Sequence, residues 1–445
     1  MSTAADRDAA ADWMVGLATV CTTPDVPVWM HGYACESRFH PFEGKLHDLH
    51  AKAMAIQDAR GHVAVLITID QCVIRAVEAK AVFDHITEVT GLDHSRVLLN
   101  FSHTHSGPII GASDANRYPM TDAERQATLD YTETLTHKLA DVVAAALASM
   151  APARLSLGTG EADFVRNRRA FDEEGNYKGM AANPDGYTDP RVPVLRVDAP
   201  DGSPRALVFG LACHAVTLGA DSLVLSGDYP GFAQQGLEEQ FPGVQAMFVQ
   251  GCGADANSHP RACPDQLEWV QKQGASLADE VARVAAGPLR PIRGPLSTAL
   301  TWTDLPLQQI PRDKLQTMAE GPHWQSYNAK RMLELIDRGE TPPTSYHAPL
   351  ALWQFGDDLT LAGICGETVS GYGRLLEGML GHDKLWVAGY CNEVFGYLPT
   401  AEIVAQGGYE ARGPVADIGF FTADAQDVVA AAVREMAEKA GRPPA

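Results

Sequence analysis

The stretch from Asn100 to Pro108 contains two residues that could do chemistry together. His103 and His105 lie two positions apart, shortly after the apolar run Val97-Leu98-Leu99. On extended backbone, side chains at i and i+2 point to the same side. Imidazole is a common metal ligand, so the pair could supply half of a metal site. A lone pair of this kind is also typical of a hydrogen-bonded turn, and the pair alone does not decide between the two.

Further residues that could bind a metal follow predicted strands directly. His214 and Glu367 each come after an apolar run, as do the loop Gly251 to Asn257 and the stretch Asn392 to Tyr397. The ligand crevice of an open α/β sheet lies beyond the carboxyl ends of its strands. Histidines and a carboxylate gathered there could complete a site for a zinc-like ion, which lowers the pKa of bound water toward about 7 and polarises a carbonyl. The pattern favours hydrolase chemistry.

Each of these residues also has an ordinary structural explanation. His214 could be a packed histidine, and Glu367 could be a first-turn acid that stabilises the following helix. Arg168 and Arg169 could form a solvated surface. Hydrophobic periodicity does not show whether the strand ends are neighbours, so the predicted site depends on these residues taken together.

Apolar strands alternate with helices along most of the chain. The run Val63 to Ile69 is β-branched and apolar, as expected for a strand buried on both faces. Helical patterns follow at 75–90 and 131–150. This order predicts an α/β fold: a mixed β-sheet core with flanking helices and a metal site at the carboxyl ends of strands.

Three segments do not follow the alternation of apolar strands and helices. The chain before about Gly61 is predicted to be loop-rich, and 171–190 reads as a polar excursion. The section from about 293 to 347 interrupts the core pattern, which resumes afterwards. We therefore predict a single domain over residues 1–445, with an excursion or cap at 293–347.

Composition excludes several classes of function. The chain has 445 residues, of which 45% are hydrophobic, and its net charge is −21. That charge repels nucleic-acid phosphates and anionic lipid headgroups. No apolar run reaches the about 20 residues that cross a bilayer, and Met1 to Met14 lacks the features of a secretory signal. The eight cysteines form no Cys-x-x-Cys pair, which indicates reduced thiols.

From this composition we expect a cytoplasmic protein whose partner is a small-molecule substrate. We expect no nucleic-acid binding and no stable membrane association. The sequence leaves a homo-oligomer open.

The stretch Asn100 to Pro108 resembles the strand-end S-H-T-H-S-G-P motif of neutral ceramidases, metal-dependent amidases that hydrolyse N-acyl sphingosine. Other segments resemble motifs of that family in the same order: Met30 to Tyr33, Asn167 to Arg169, Phe209 to Val216, Gly366 to Thr368, Asn392 to Thr400 and Gln406 to Arg412. Tyr397 and Tyr409 lie twelve residues apart, as do two tyrosines of the family. The chain is therefore similar to the N-terminal catalytic domain of the neutral/alkaline non-lysosomal ceramidases.

The resemblance implies a role for each matching residue. One zinc ion would be bound by four side chains: His103, His214, Glu367 and Tyr397. Three further side chains would face the substrate: His105, Arg168 and Tyr409.

The chain departs from the family pattern at the nucleophile. The family's serine lies in a G-D-x-S-P-N segment, and counting from Phe248-Val249-Gln250 puts Asn257 at that position, with Ser258 one residue further. A one-residue step on extended backbone turns the side chain to the other side. An amide has no proton to lose at neutral pH that would make it a nucleophile. We also expect no counterpart of the family's C-terminal β-sandwich domain and no secretion signal.

These observations predict a zinc-dependent hydrolase that cleaves an amide or ester bond in a small soluble substrate, using metal-activated water. His105 would be the general acid or base, because histidine titrates near neutrality. Arg168 and Tyr409 would hold a carboxylate or developing oxyanion, and Asn257 would orient the substrate. Asp255 would support a metal ligand.

Two other functions stay open. One is a metal-dependent lactonase, or a lyase or isomerase, acting on a sugar-like or hydroxy-acid substrate. The other is a metal-binding protein without catalytic activity.

Overall fold

The computed structural model describes residues 12–33, 35–321, 323–413 and 419–442. The strands of the first half are β1 (Trp13–Cys21), β2 (Gly44–Lys45), β3 (His50–Asp58), β4 (Val63–Ile69), β5 (Val97–Phe101), β6 (Ala151–Glu161), β7 (Val165–Phe171), β8 (Tyr177–Asn183), β9 (Arg191–Asp198), β10 (Pro204–Leu211) and β11 (Val224–Leu225). Those of the second half are β12 (Gln245–Gln250), β13 (Ala256–Ser258), β14 (Arg290–Ile292), β15 (Leu296–Pro306), β16 (Ser345–Phe355), β17 (Leu359–Ile364), β18 (Glu367–Thr368), β19 (Leu385–Ala388) and β20 (Tyr397–Leu398).

The α-helices are α1 (Ala76–Thr90), α2 (Ala112–Ala115), α3 (Asp122–Ala148), α4 (Asp228–Gln240), α5 (Gln266–Ala286), α6 (Arg312–Ala319), α7 (His323–Asp337), α8 (Gly371–Leu380), α9 (Ala401–Gln406) and α10 (Ala425–Lys439). Short 3₁₀ turns occur at Glu36–Arg38, His94–Arg96 and Tyr409–Arg412.

Two sheets form the centre of the fold. The larger has nine strands in the order β12-β10-β9-β6-β1-β3-β4-β5, with β14 paired to β6. The smaller has the order β15-β16-β17-β19. Parallel pairs occur at β4 and β5, at β10 and β12, and at β17 and β19, whereas the other pairs within these two sheets are antiparallel. The predicted α/β fold with a mixed sheet core is confirmed.

The sheets pack against each other, and helices cover their outer faces. Leu66 of β4 belongs to the buried cluster between the sheets, whereas its neighbours Val65 and Ile67 belong to the cluster that includes side chains of α1 and α3. Successive side chains of a strand point to opposite faces, so the continuous apolar run of β4 fills both clusters. Helices α4 and α5 cover the other half of the large sheet, and α8 and α10 contribute to the cluster over the small one.

Three local predictions are wrong. The segment before Gly61 contains β1, a nine-residue strand that pairs with β3 and β6. The polar segment 171–190 contains β8, whose backbone pairs with β7. The side chains of β8 are largely exposed, so the sequence shows no apolar strand pattern there. Helix α3 begins at Asp122, well before the predicted start, because Thr121 and Glu124 form a capping box.

Two expectations from composition can be compared with the structure. All eight cysteines are free. None of the described helices is both long and apolar enough to cross a bilayer. The expected absence of a secretory signal concerns Met1 to Met14, and residues 1–11 lie outside the described part of the chain.

The side chain of Asn100 ties the two sheets together. Its Nδ2 donates to the carbonyl oxygen of Gly389, 2.8 Å away, just after β19 of the small sheet. Its Oδ1 accepts from the backbone N–H of Gln250, 2.7 Å away, at the end of β12 in the large sheet. Asn100 is completely buried on β5. One amide therefore links the carboxyl ends of three strands.

Asn100→Ala should lower the free energy of unfolding by about 2–4 kcal/mol, because it leaves a buried backbone donor and a buried acceptor unpaired. Denaturant unfolding measures this change. The matched control is Asn176→Ala in the exposed turn between β7 and β8, which should cost less than about 1 kcal/mol. Equal unfolding midpoints for Asn100→Ala and wild type would contradict the proposed link.

A buried ion cluster fixes the 3₁₀ turn Tyr409–Arg412 to β7. Glu410 accepts from Arg168 Nε at 2.7 Å and from Arg169 Nη1 at 2.5 Å. Burial raises the pKa of Glu410, but the two guanidinium groups outweigh burial and hold the pKa below its ordinary value. The carboxylate is therefore ionised and stabilises both arginines.

Glu410→Gln should lower the free energy of unfolding by about 3–5 kcal/mol at neutral pH, because it leaves two buried cations without their carboxylate. The folded-state pKa of Glu410 is depressed below 4.5. The stabilisation is therefore complete above about pH 4.5 and is lost as the pH falls through the folded-state pKa. Denaturant unfolding should show the largest difference from wild type at neutral pH.

The control for this pH dependence is Glu435→Gln, which removes an exposed carboxylate of α10 that pairs with Lys439. It should change stability by less than about 1 kcal/mol at either pH. A difference between wild type and Glu410→Gln that stays constant down to about pH 3 would refute the linkage.

Candidate metal centre

Three side chains that could bind a metal converge where strands of both sheets end. His103 follows β5, His214 follows β10, and Glu367 follows β17. Nε2 of His103 lies 3.3 Å from Oε2 of Glu367, and Nε2 of His214 lies 3.5 Å from the same oxygen. All three side chains are buried. Their ligand atoms lie within 4.8 Å of one another, a spacing that could hold a metal ion.

The backbone fixes both imidazoles through their other nitrogen. Nδ1 of His103 is 2.8 Å from the carbonyl oxygen of Cys72, and Nδ1 of His214 is 3.0 Å from that of Gly253. A carbonyl oxygen only accepts, so in the neutral imidazoles Nδ1 carries the proton and Nε2 presents a lone pair toward Glu367. Metal-binding histidines are held in the same way.

His103 reaches its position through a turn. Its φ is +59°, in the left-handed region, which costs a non-glycine residue on the order of 1–3 kcal/mol. The prediction that both His103 and His105 lie on extended backbone is therefore wrong for His103. The two rings are nevertheless adjacent, with 3.2 Å between their Nε2 atoms.

The donor set fits a divalent cation. Nε2 of His214 and Oε2 of Glu367 are buried and have no hydrogen-bond partner among the described residues. Burial raises the pKa of Glu367, but His103 and His214 hold it well below its ordinary value. Burial lowers the pKa of His103, but Cys72 and Glu367 raise it to about 10. A metal bound at Nε2 would displace the proton that this pKa places on His103 at pH 7. An ionised carboxylate and two imidazoles would then face one point, and these are ligands that zinc accepts.

Tyr397 adjoins this group through a short parallel ladder. Strands β18 and β20 put Glu367 directly opposite Tyr397. The Tyr397 ring lies parallel to that of His214, with 6.5 Å between the centroids. Burial raises the pKa of Tyr397 well above its ordinary value, whereas Arg168, whose Nη2 donates to the hydroxyl oxygen over 3.0 Å, acts in the opposite direction. Arg168 therefore favours the phenolate that a metal would bind.

Each nitrogen of the Arg168 guanidinium donates a hydrogen bond to another side chain. Besides Tyr397, it donates to Glu410 and, from Nη1, to Oδ1 of Asn257 at 3.2 Å. The sequence predicts that Arg168 and Asn257 face the substrate. In the structure they contact each other, and neither belongs to the lining of the cavity next to the metal centre.

Asn257 and Ser258 point in different directions. Asn257 contacts Arg168, whereas Oγ of Ser258 lies 2.8 Å from Oγ1 of Thr217 and is completely buried. The alternation expected of a strand separates them, because both belong to β13. Ser258 is therefore packed away from the group of histidines.

Asp255 acts on the segment that follows Glu367. Its Oδ1 accepts from the backbone N–H of Ser370 at 2.7 Å, and its Oδ2 accepts from the hydroxyl of Ser370 at 2.8 Å. Its backbone oxygen accepts from the N–H of Arg168. Asp255 therefore joins the chain after β18 to β7.

His105 lies beside the metal centre against Gly32. A Cβ at Gly32, whose φ is +103°, would be 2.4 Å from Cγ of His105, so only glycine fits there. Burial, with further contributions from His103 and His214, holds the pKa of His105 well below its ordinary value. The sequence predicts titration near neutrality. The structure instead gives an imidazole that is neutral at pH 7.

A cavity of about 400 Å³ opens onto this group. Five of the eight predicted site residues line it: His103, His105, Glu367, Tyr397 and Tyr409. Helix α7, within the section 293–347, contributes Tyr327 and Asn328 to the wall. Among the described residues, Val73 is the only aliphatic side chain in the lining, which is otherwise rich in tyrosine and arginine.

The sequence pattern did not reveal three residues of the site. Cys72 follows β4, the parallel neighbour of β5, so the strand-end rule could have found it. Burial raises its pKa, but His103 and His31 lower it to about 7. Tyr390 follows β19, and its ring centroid lies 4.6 Å from that of His103. Arg412 lines the cavity and ends the segment 406–412, but its sequence position carries no signal of this role.

Solved structures share the fold. The crystal structure of neutral ceramidase from Pseudomonas aeruginosa superposes with a TM-score of 0.75 at 19% sequence identity, covering 97% of this chain and 75% of that one. A structure described as ceramidase complexed with C2 gives a TM-score of 0.72 at 17% identity, covering 97% of this chain and 76% of the other.

Sequence relatives agree with this likeness. Neutral ceramidase B of Dictyostelium discoideum is 28% identical over 198 residues, and neutral ceramidase A of the same organism is 27% identical over 232 residues. These alignments span 43% and 51% of this chain but only 27% and 32% of the two relatives. The family model described as neutral/alkaline non-lysosomal ceramidase, N-terminal, matches residues 13–258, more than half of the 445 residues. The chain therefore belongs to the neutral/alkaline non-lysosomal ceramidase family.

Proposed function

We propose that this protein is a zinc-dependent hydrolase that cleaves an amide bond in a small soluble substrate. The observation that carries the proposal is the convergence of His103, His214 and Glu367, with both Nδ1 atoms anchored to carbonyl oxygens. Two buried atoms of this group have no hydrogen-bond partner among the described residues. These three residues, with Tyr397, would hold one zinc ion. Bound zinc supplies Lewis acidity, which polarises a carbonyl and lowers the pKa of water.

The residues around this centre have separate tasks in the proposed reaction. His105, a neutral imidazole in the cavity wall, accepts a proton at a ring nitrogen and returns it to the leaving amine. Tyr409 lines the same cavity, and its hydroxyl can donate to a developing oxyanion. Arg168 holds the hydroxyl of Tyr397 and the side chain of Asn257 in position.

The size of the cavity favours a small polar substrate over a ceramide. A ceramide carries two long hydrocarbon chains, and their burial needs extensive apolar surface. A cavity of about 400 Å³ is small for two such chains. Ligand sites of this size suit small molecules. The single domain over 1–445, the cytoplasmic location and the absence of stable membrane association stay predictions.

His103→Ala and Glu367→Ala should each lose bound zinc, because each removes one of the four proposed ligands. The measurement is zinc content per chain after exchange into chelator-treated buffer, with wild type expected to retain about one ion. His347→Ala is the control, since that exposed histidine pairs with Asp304 and does not line the cavity. Full zinc occupancy in both ligand variants would rule out this site.

Ser258→Ala should retain turnover within about threefold of wild type, because its hydroxyl is packed against Thr217. His105→Ala should lower kcat by about 10²–10⁴ through loss of proton transfer. A panel of small N-acyl amides, assayed for released acid and amine, measures both.

Two outcomes would contradict the mechanism. An inactive Ser258→Ala that still holds zinc would point to a serine nucleophile. A zinc-loaded wild type that hydrolyses no amide, ester or lactone would point to a metal-binding protein without catalytic activity.

A further inference from the structure

Three guanidinium groups line the cavity beside the metal centre, and their charges are not balanced. Arg75 and Arg117 share one carboxylate, that of Asp114, at 2.9 Å from Arg75 Nε and 3.1 Å from Arg117 Nη1. His31 adds a third contact to this carboxylate at 3.4 Å. The third guanidinium, that of Arg412, pairs with no carboxylate in the described part of the chain.

The surroundings of Arg412 hold it in place without neutralising it. Its guanidinium carbon lies 4.1 Å from the ring centroid of Tyr409 and 4.7 Å from that of Tyr397. Its backbone oxygen accepts from Nδ2 of Asn328 on α7 at 3.1 Å. Its Nε is buried and has no hydrogen-bond partner among the described residues. Aromatic faces orient a cation but leave its N–H donors unpaired.

The carboxylate of Glu367, which also lines the cavity, does not pair with Arg412. Glu367 is directed at Nε2 of His103 and of His214 and would be neutralised by the proposed metal. The described residues of the cavity therefore carry more positive than negative charge, and Arg412 is a planar group whose N–H donors suit a planar anion such as a carboxylate.

We propose that Arg412 binds a carboxylate of the substrate, so that the substrate is a small amide that also carries a carboxylate, such as an N-acyl amino acid. The inference rests on the proposed function, because it assigns the substrate class of the same cavity. Arg412 lies over Tyr397, a proposed metal ligand, so an anion held by Arg412 has its neighbouring acyl group beside the metal centre. Arg412 is then a specificity-determining residue.

The test compares binding of N-benzoylglycine with that of N-benzoylglycinamide, which lacks the carboxylate, by isothermal titration of zinc-loaded protein. Wild type should bind the acid about 10- to 100-fold more tightly, because a hydrogen bond to a charged group is worth this factor. Arg412→Met should bind the two ligands alike. Arg374→Met, which removes an exposed cation outside this cavity, should keep the preference of wild type.

Two further measurements separate a structural effect from a binding effect. Circular dichroism and zinc content of Arg412→Met should match wild type, and Arg412→Gln serves as a second variant if Arg412→Met fails to fold. The same titrations on zinc-free protein remove direct binding of carboxylate to the metal. A preference for the acid that persists there in wild type and disappears in Arg412→Met supports the proposal.

The outcomes of the two proposals are distinguishable. Wild type that binds the acid and the amide alike, or binds neither, overturns the carboxylate site even if it hydrolyses other amides. An Arg412→Met protein that keeps the full preference also overturns it. Wild type that prefers the acid through Arg412 but hydrolyses no amide supports the carboxylate site and contradicts the proposed hydrolase.

Discussion

The centre of this protein depends on one buried carboxylate. An ionised Glu367 taken out of water costs several kcal/mol unless opposite charge or hydrogen bonds replace its hydration. Its Oε2 makes no hydrogen bond within the described residues and lies 3.3 and 3.5 Å from two imidazole nitrogens. A cation at that point would offset the cost for all three side chains at once. The stability of the site and its proposed chemistry therefore share one physical requirement.

The two-sheet architecture satisfies this requirement by bringing distant segments to one edge. His103 follows the edge strand β5 of the large sheet, and His214 follows β10, next to the opposite edge strand β12. Glu367 comes from the chain that follows β17 of the small sheet. No single sheet could supply all three. The amide of Asn100, which bonds to both Gln250 and Gly389, links the end of β12 in the large sheet to the end of β19 in the small sheet.

The sequence was sufficient for the fold class and for several residues of the centre, because strand ends and family motifs are local signals. His103, Glu367 and Tyr397 line one cavity as these signals predict. The roles of charged residues could not be predicted in this way, because pairing is tertiary. Arg168 is engaged by Glu410, and Arg412 is not paired with any carboxylate among the described residues. Two arginines, each in a segment that resembles a family motif, look equivalent until their partners are known.

This difference between the arginines determines where the proposed substrate would bind. Arg168 bonds to Glu410 within the fold, whereas Arg412, which contacts α7, pairs with no carboxylate among the described residues. In the proposed complex the substrate carboxylate would lie at Arg412, and the acyl carbon would lie toward Glu367 and the histidines. Asn257 accepts a hydrogen bond from Nη1 of Arg168, and its amide cannot act as a nucleophile at neutral pH. The proposed use of metal-activated water as the nucleophile is consistent with this amide and with the buried hydroxyl of Ser258, which contacts Thr217.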